Sequence, residues 1–181
     1  YCKDNNIAVE EVTYLECDEI GLTELKGLNK LINLEVLNCR HNYLRELDVS
    51  KLVNLKNLDC GSNKLIELDV SKLVNLKKLY CENNKLTKLD LSRLFNLKEV
   101  YCYINNITEL KGFEKLVNLE YLYCSNNKLI ELDLSKLVNL QWLNGEEYIQ
   151  PEVKPEPDKF DLILSKIEKL EKDIAEIKTK I

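Results

Sequence analysis

Apolar residues return in one fixed order along most of this chain: Leu, two variable positions, Leu, one variable position, Cys, two more, Asn, one more, then Leu or Ile. The segment Leu55-Lys-Asn-Leu-Asp-Cys-Gly-Ser-Asn-Lys-Leu65 shows the order in full. Cysteines mark the period best: Cys17, Cys39, Cys60, Cys81, Cys102 and Cys124 stand 22, 21, 21, 21 and 22 residues apart. Asn42, Asn63, Asn84, Asn105 and Asn127 follow three residues later, and Leu44, Leu65, Leu86, Ile107 and Leu129 two after that. A period of this length means one supersecondary unit copied many times, each too small to bury its own leucines and stable only when stacked.

Alternation through Leu37-Asn38-Cys39 predicts a short strand with Leu37 and Cys39 inward and Val36, Asn38 and Arg40 outward. Successive strands then pair in parallel about 4.8 Å apart. The turn after each strand leaves backbone donors and acceptors inside, where an unmet group costs about 1–3 kcal/mol. The inward Asn amide is expected to satisfy them. A second column, Asn33, Asn54, Asn75, Asn96, Asn118 and Asn139, precedes each strand and reads as turn chemistry. So short a unit leaves little room for full helices opposite the sheet, and short 3-10 or irregular segments are expected there.

The run Leu34-x-x-Leu37-x-Cys39-x-x-Asn42-x-Leu44 resembles the L-x-x-L-x-L-x-x-N-x-L signature of leucine-rich repeats. The resemblance covers Val12 to Asn144, six copies and a partial seventh. Two units, Glu24-Leu-Lys-Gly-Leu28 and Glu109-Leu-Lys-Gly-Phe113, are similar to the 22-residue class of internalins and phosphatase-regulatory proteins. It implies an α/β repeat solenoid, curved, with a parallel sheet on the concave face. The departures are Cys in place of the second strand Leu and Ile20 in place of the first ladder Asn. Tyr1-Cys2-Lys3-Asp4-Asn5-Asn6-Ile7 matches Tyr101 to Ile107 in its Cys, Asn and aliphatic slots. Because Cys2 precedes Cys17 by 15 residues, residues 1–11 are expected to be a shortened capping unit.

The pattern stops at Trp142-Leu143-Asn144, so the solenoid is expected over 1–145. Pro151, Pro155 and Pro157 then mark 146–159 as a semi-rigid tether. In 160–181 the apolar residues Phe160, Ile163, Ile167, Leu170, Ile174, Ile177 and Ile181 are spaced 3, 4, 3, 4, 3, 4, a heptad seam that predicts a helix. With Ile167 at an a position, a parallel pair would set Lys166 against Glu171 and Asp173 against Lys178, both attractive. Self-association as a parallel dimer or trimer is therefore expected. The alternative is a helix folded back to cap the open end of the stack.

Composition and charge narrow the chemistry. A net charge of −5 and a pI near 5.2 argue against nucleic acid as partner. No apolar run approaches the roughly 20 residues that span a bilayer. The chain begins at Tyr1, so an upstream segment is expected to be missing. The cysteines lack the close C-x2-C spacing of metal sites, which predicts no metal and no cofactor. As buried free thiols they favour a reducing, intracellular setting, whereas the internalin resemblance points to a bacterial surface. His41, the only histidine, reads as a loop residue. Ser50, Ser71, Ser92 and Ser135 beside Asp48, Asp69, Asp90 and Asp133 read as turn residues without a base to activate them. An enzyme is not expected.

The informative positions are the outward strand residues. The amino-terminal half offers Tyr14, Glu16, Asp18, Val36, Asn38, Arg40, Asn57, Asp59 and Gly61, a polar and mildly acidic surface. The carboxy-terminal half offers Tyr80, Tyr101, Tyr103, Tyr121, Tyr123 and Trp142 on adjoining strands, with Lys78, Glu82, Glu99, Ser125, Asn144 and Glu146 in the remaining outward slots. Tyr and Trp give large rigid contact area with a polar tip, the profile of binding hot spots. The expected function is non-catalytic recognition of a protein or peptide on this aromatic half, with avidity from the tail. A structural assembly subunit and a regulatory subunit of an enzyme are the competing readings.

Overall fold

The computed structural model describes residues 8–149 and 166–169, and the chain divides into two units between Gln150 and Pro151. In the first unit each repeat contributes a short strand, and in the five central ones a buried middle residue lies between two half-buried neighbours. These strands are β1 (Tyr14–Glu16), β2 (Val36–Asn38), β3 (Asn57–Asp59), β4 (Lys78–Tyr80), β6 (Glu99–Tyr101), β8 (Tyr121–Tyr123) and the two-residue β9 (Trp142–Leu143). They pair in parallel, in that order, with Leu37, Leu58, Leu79, Val100 and Leu122 in one inward register line. The outer arc carries β5 (Lys88–Asp90) and β7 (Glu109–Lys111), which form a second, two-stranded parallel sheet.

Leucines from strand, turn and arc meet in one continuous core, with Leu34, Leu37, Leu52, Leu55, Leu58, Leu73 and Leu79 fully buried. Cys39, Cys60, Cys81 and Cys102 are buried beside them as free thiols, and Cys124 nearly so. The thiols are not idle: Cys17 Sγ donates to the Asn38 carbonyl at 3.3 Å and Cys39 Sγ to that of Asp59 at 3.4 Å, each in the next repeat.

The ladder asparagines tie one repeat to the one before it. Asn84 Nδ2 reaches the carbonyls of Cys60, Cys81 and Glu82 at 3.0–3.2 Å, while its Oδ1 accepts from the Leu65 N–H at 2.9 Å. Asn42, Asn63, Asn105 and Asn127 repeat this arrangement. Ile20, which interrupts the column, is instead exposed. The second Asn column does more than shape turns. Asn54, Asn75, Asn96, Asn118 and Asn139 each donate across to a carbonyl of the preceding repeat, at Ile32, Val53, Val74, Phe95 and Val117. The sequence gives only the local turn preference of Asn; the crossing bond exists because stacking places that carbonyl overhead.

Opposite the sheet the chain makes turns, with 3-10 segments at Val9–Glu11, Leu28–Lys30 and Phe113–Lys115. The last two follow Gly27 and Gly112, both in the left-handed region at φ 80° and 76°. In the other units Asp48, Asp69, Asp90 and Asp133 accept from the N–H of the Ser two residues on at 2.9–3.0 Å. The serines open turns, as the sequence implies, while Asp90 ends β5.

One residue per unit, just before the ladder slot, is left-handed: Glu19, His41, Ser62, Asn83, Ile104 and Asn126, with φ between 52° and 54°. Asn accepts this conformation readily, whereas a β-branched residue there is strained by about 1–2 kcal/mol. Ile104 is 46% exposed and has little burial to lose. Ile104→Asn is therefore expected to stabilise the fold by about 1 kcal/mol, read as a higher urea midpoint at unchanged slope. An unchanged or lower midpoint would show that the Ile side chain contributes more than its backbone costs.

The carboxy-terminal end of the sheet departs from expectation. Asn144 and Gly145 are left-handed, and β10 (Glu146–Glu147) turns back to pair antiparallel with β9. Tyr148 N–H continues the pairing to the Gln141 carbonyl. Asn144 and Glu146 are thus not outward residues of a last parallel strand, and the first residues of the expected tether belong to the sheet. The reversal covers the open edge of β9, and its two glutamates discourage further strand addition.

Residues 166–169 form one exposed helical turn that holds Ile167. The other seam positions, Phe160, Ile163, Leu170, Ile174, Ile177 and Ile181, lie outside the described residues, as do residues 1–7 of the expected cap and the prolines of the tether.

Candidate functional site

Parallel register carries outward residues of successive strands into columns. In one column Tyr80, Tyr101 and Tyr123 are neighbours. Their rings stack with centroids 4.7 Å and 4.4 Å apart and planes tilted 42° and 44°. A spacing of about 4.8 Å between strands forces equivalent rings into contact, and the tilt relieves the unfavourable face-to-face arrangement. Each ring is partly buried by its neighbour and partly open to the concave side.

Polar contacts fix one end of the stack. The Tyr80 hydroxyl donates to Glu99, whose other oxygen takes an ion pair from Lys78 Nζ at 2.8 Å. Burial, and then the bond to Glu99, push the Tyr80 phenol well above its ordinary range. Burial does the same for Tyr101, aided by the neighbouring Tyr123. Both remain neutral hydroxyls at physiological pH.

The remaining predicted aromatics surround this stack without joining it. Tyr121 lies opposite Glu99 on one side and Trp142 on the other, in the adjacent column. Trp142 is more open, at 38% exposed. Tyr103 follows β6 in a third column, just before the left-handed Ile104. Among the described residues the two Tyr–Tyr pairs are the ring stacks.

Sequence reasoning missed a polar cluster beside the stack. Gly61 and Glu82, expected to face outward, are buried. Gly61 leaves a gap that the Glu82 carboxylate fills: a Cβ at Gly61 would stand 2.5 Å from Glu82 Oε1. Through that gap Glu82 reaches the Arg40 guanidinium, two repeats away, at 2.9 Å, while Arg40 also lies 3.8 Å from Asp59. Glu82 is 1% exposed, and its oxygens have the ion pair but no well-directed hydrogen bond. Burial raises its carboxyl, against the lowering field of Arg40. The signal in the sequence was a lone Gly in a column of large residues.

Among the described residues no three His, Cys, Asp or Glu gather around a point that would hold a metal ion. Burial drives the thiols of Cys39, Cys60, Cys81 and Cys102 upward, so they stay protonated and unreactive. No helix among the described residues is long and apolar enough to cross a membrane.

A stacked parallel sheet, a leucine core and an Asn ladder on a 21-residue period define a leucine-rich-repeat solenoid. Residues 53–93 and 95–139 match the family model for leucine rich repeats (2 copies), and the chain belongs to that family. Within it the chain is similar to internalin-type proteins. It is 35% identical to the functional domain of InlJ from Listeria monocytogenes, which includes a cysteine ladder (TM-score 0.58, 74% of this chain and 34% of that one). It is 28% identical to a leucine-rich-repeat protein of Leptospira interrogans (TM-score 0.70, 75% of this chain and 38% of that one). Internalin C2 of Listeria monocytogenes is also 28% identical (TM-score 0.67, 75% and 62%). The chain thus spans between about a third and 62% of the length of these proteins. No curated protein sequence matches it. Leucine-rich-repeat proteins are in general protein-interaction scaffolds and typically non-catalytic.

Proposed function

We propose that the concave face binds a protein or peptide partner on its aromatic half. The observation that carries this reading is the stack of Tyr80, Tyr101 and Tyr123, three rings held in place by register and partly open. A rigid stack loses little conformational entropy on binding, and its hydroxyls can meet a partner's backbone. Tyr121 and Trp142 extend the apolar area on one side. In the same reading the tail from Phe160 to Ile181 joins copies, giving two or three such faces in one particle and hence avidity. The buried thiol column suits a reducing interior.

The test is a peptide library selected on the whole chain. Peptides are expected to bind the wild type and to lose at least tenfold in affinity on Tyr101→Ala/Tyr123→Ala, with the circular dichroism spectrum unchanged. Equal binding by a folded double mutant removes the aromatic stack from recognition.

A further inference from the structure

The repeats supply their own alignment, and it separates surface positions that vary from surface positions that do not. On the concave face the slot of Val36 becomes Asn57, Lys78, Glu99 and Tyr121. On the arm returning to the strand, by contrast, an exposed cation stays in every unit: Lys30, Lys51, Lys72, Arg93, Lys115 and Lys136. Two residues on, an apolar side chain stays as well. Ile32, Val53, Val74, Phe95, Val117 and Val138 are 43% to 65% exposed. The residue between the members of a pair, such as Leu52 or Leu73, is fully buried, so both members share the outer surface. Packing explains why buried positions stay constant; it does not explain these. Among the described residues none of the six cations forms a close ion pair, although Lys51, Lys72 and Lys136 exert a weak field on Asp48, Asp69 and Asp133 of their own units. An apolar ridge edged with positive charge therefore runs across six units.

The arm leaving the strand is its complement. An open groove of about 690 Å³ crosses three units there, lined by Leu47, Leu68 and the exposed Ile66. Its border carries Glu46, Asp48, Glu67, Asp69 and Asp90 against the cations Arg45 and Lys88, and Asp90 is itself paired with Lys111. Smaller grooves continue past Glu109 and Glu131. The ridge is basic and the groove acidic on balance, and both repeat every 21 or 22 residues.

We propose that the ridge of one copy seats in the groove of a second copy, side by side. Apolar area is then covered on both arms, and Lys51, Lys72 and Arg93 meet the acidic border unit by unit because the two surfaces share one period. Since ridge and groove are different surfaces, the contact is heterologous and adds copies in a row instead of closing a two-fold pair. This contact is independent of the tail.

The experiment is sedimentation velocity of the whole chain over a range of concentrations at low salt. A ridge variant, Lys51→Glu/Lys72→Glu/Arg93→Glu, and a groove variant, Glu46→Lys/Glu67→Lys, alter only exposed residues. The wild-type mass is expected to climb with concentration beyond any plateau set by the tail. Each variant alone keeps the plateau and loses the climb, and added salt weakens the wild-type climb. An equimolar mixture of the two variants regains it, because a Glu ridge then meets a Lys groove. A wild type that shows no climb, or variants that keep it, overturns the proposal. So does a wild type that stays at the plateau yet floats with anionic vesicles while the ridge variant does not, since the ridge would then face a lipid surface.

Discussion

Replacing Asn84 with Ala is expected to destabilise the solenoid by about 2 kcal/mol or more. The amide reaches the carbonyls of Cys60, Cys81 and Glu82 and accepts from the Leu65 N–H, all within the core. Alanine strands the buried Leu65 N–H, at a cost of about 1–3 kcal/mol, and removes one of two donors from each carbonyl, since Cys60, Cys81 and Glu82 keep Asn63, Asn105 and the Ser62 N–H. Against a typical stability of about 5–15 kcal/mol that is a large fraction. Asn127 makes equivalent bonds near the end of the stack, where all four are partly or fully exposed. Asn127→Ala is expected to cost about half as much, because solvent can replace the lost partner. Urea unfolding of both variants checks this. Equal losses would mean that the ladder acts through something other than satisfying buried backbone.

The second large effect is expected at Gly112. Both Gly112 and Gly27 open a 3-10 turn in the left-handed region, so alanine at either place costs about 1 kcal/mol in backbone strain. They differ in what lies nearby. A Cβ at Gly27 meets nothing within 4 Å, whereas at Gly112 it would stand 2.3 Å from the Ser92 Cα of the preceding unit. Backbone cannot step aside as a side-chain tip can. Relief requires opening the contact around β5 and β7, where Lys111 also bridges to Asp90 at 2.8 Å. Gly112→Ala is thus expected to lose several times more stability than Gly27→Ala, about 3 kcal/mol or more. Thermal unfolding of the pair reads the difference directly. Matching melting shifts would show that the two turns sense only the backbone angle.

Much of this architecture was legible because the repeat is so short and regular. The inward Leu and Cys slots and the first Asn column follow from alternation and from the need to satisfy a buried turn. The internal alignment made each assignment several times over. The second Asn column was under-read, since a crossing bond to Ile32 or Val53 depends on what the neighbouring unit places above it. The reversal at Glu146–Glu147 was also invisible, because two glutamates after Asn144-Gly145 look like the start of a polar tether. Only the free edge of β9 turns them into a strand.

The candidate site divides in the same way. Alternation alone put Tyr80, Tyr101 and Tyr123 on the outer side of their strands. Register decided that they stack, while Tyr103 sits one column away and Tyr121 lies beside Trp142. Glu82 shows the limit most clearly: its slot points outward, yet the missing side chain at Gly61 lets it fold under Arg40.

By itself, then, the sequence determined which side chains face the core and how long each unit is, because periods of 2 and 21 are properties of one chain segment. The tertiary structure decided which outward residues touch, which gap is filled and how the sheet ends. Those outcomes depend on the neighbouring unit, which stacking brings within about 5 Å but which lies some 20 residues away along the chain.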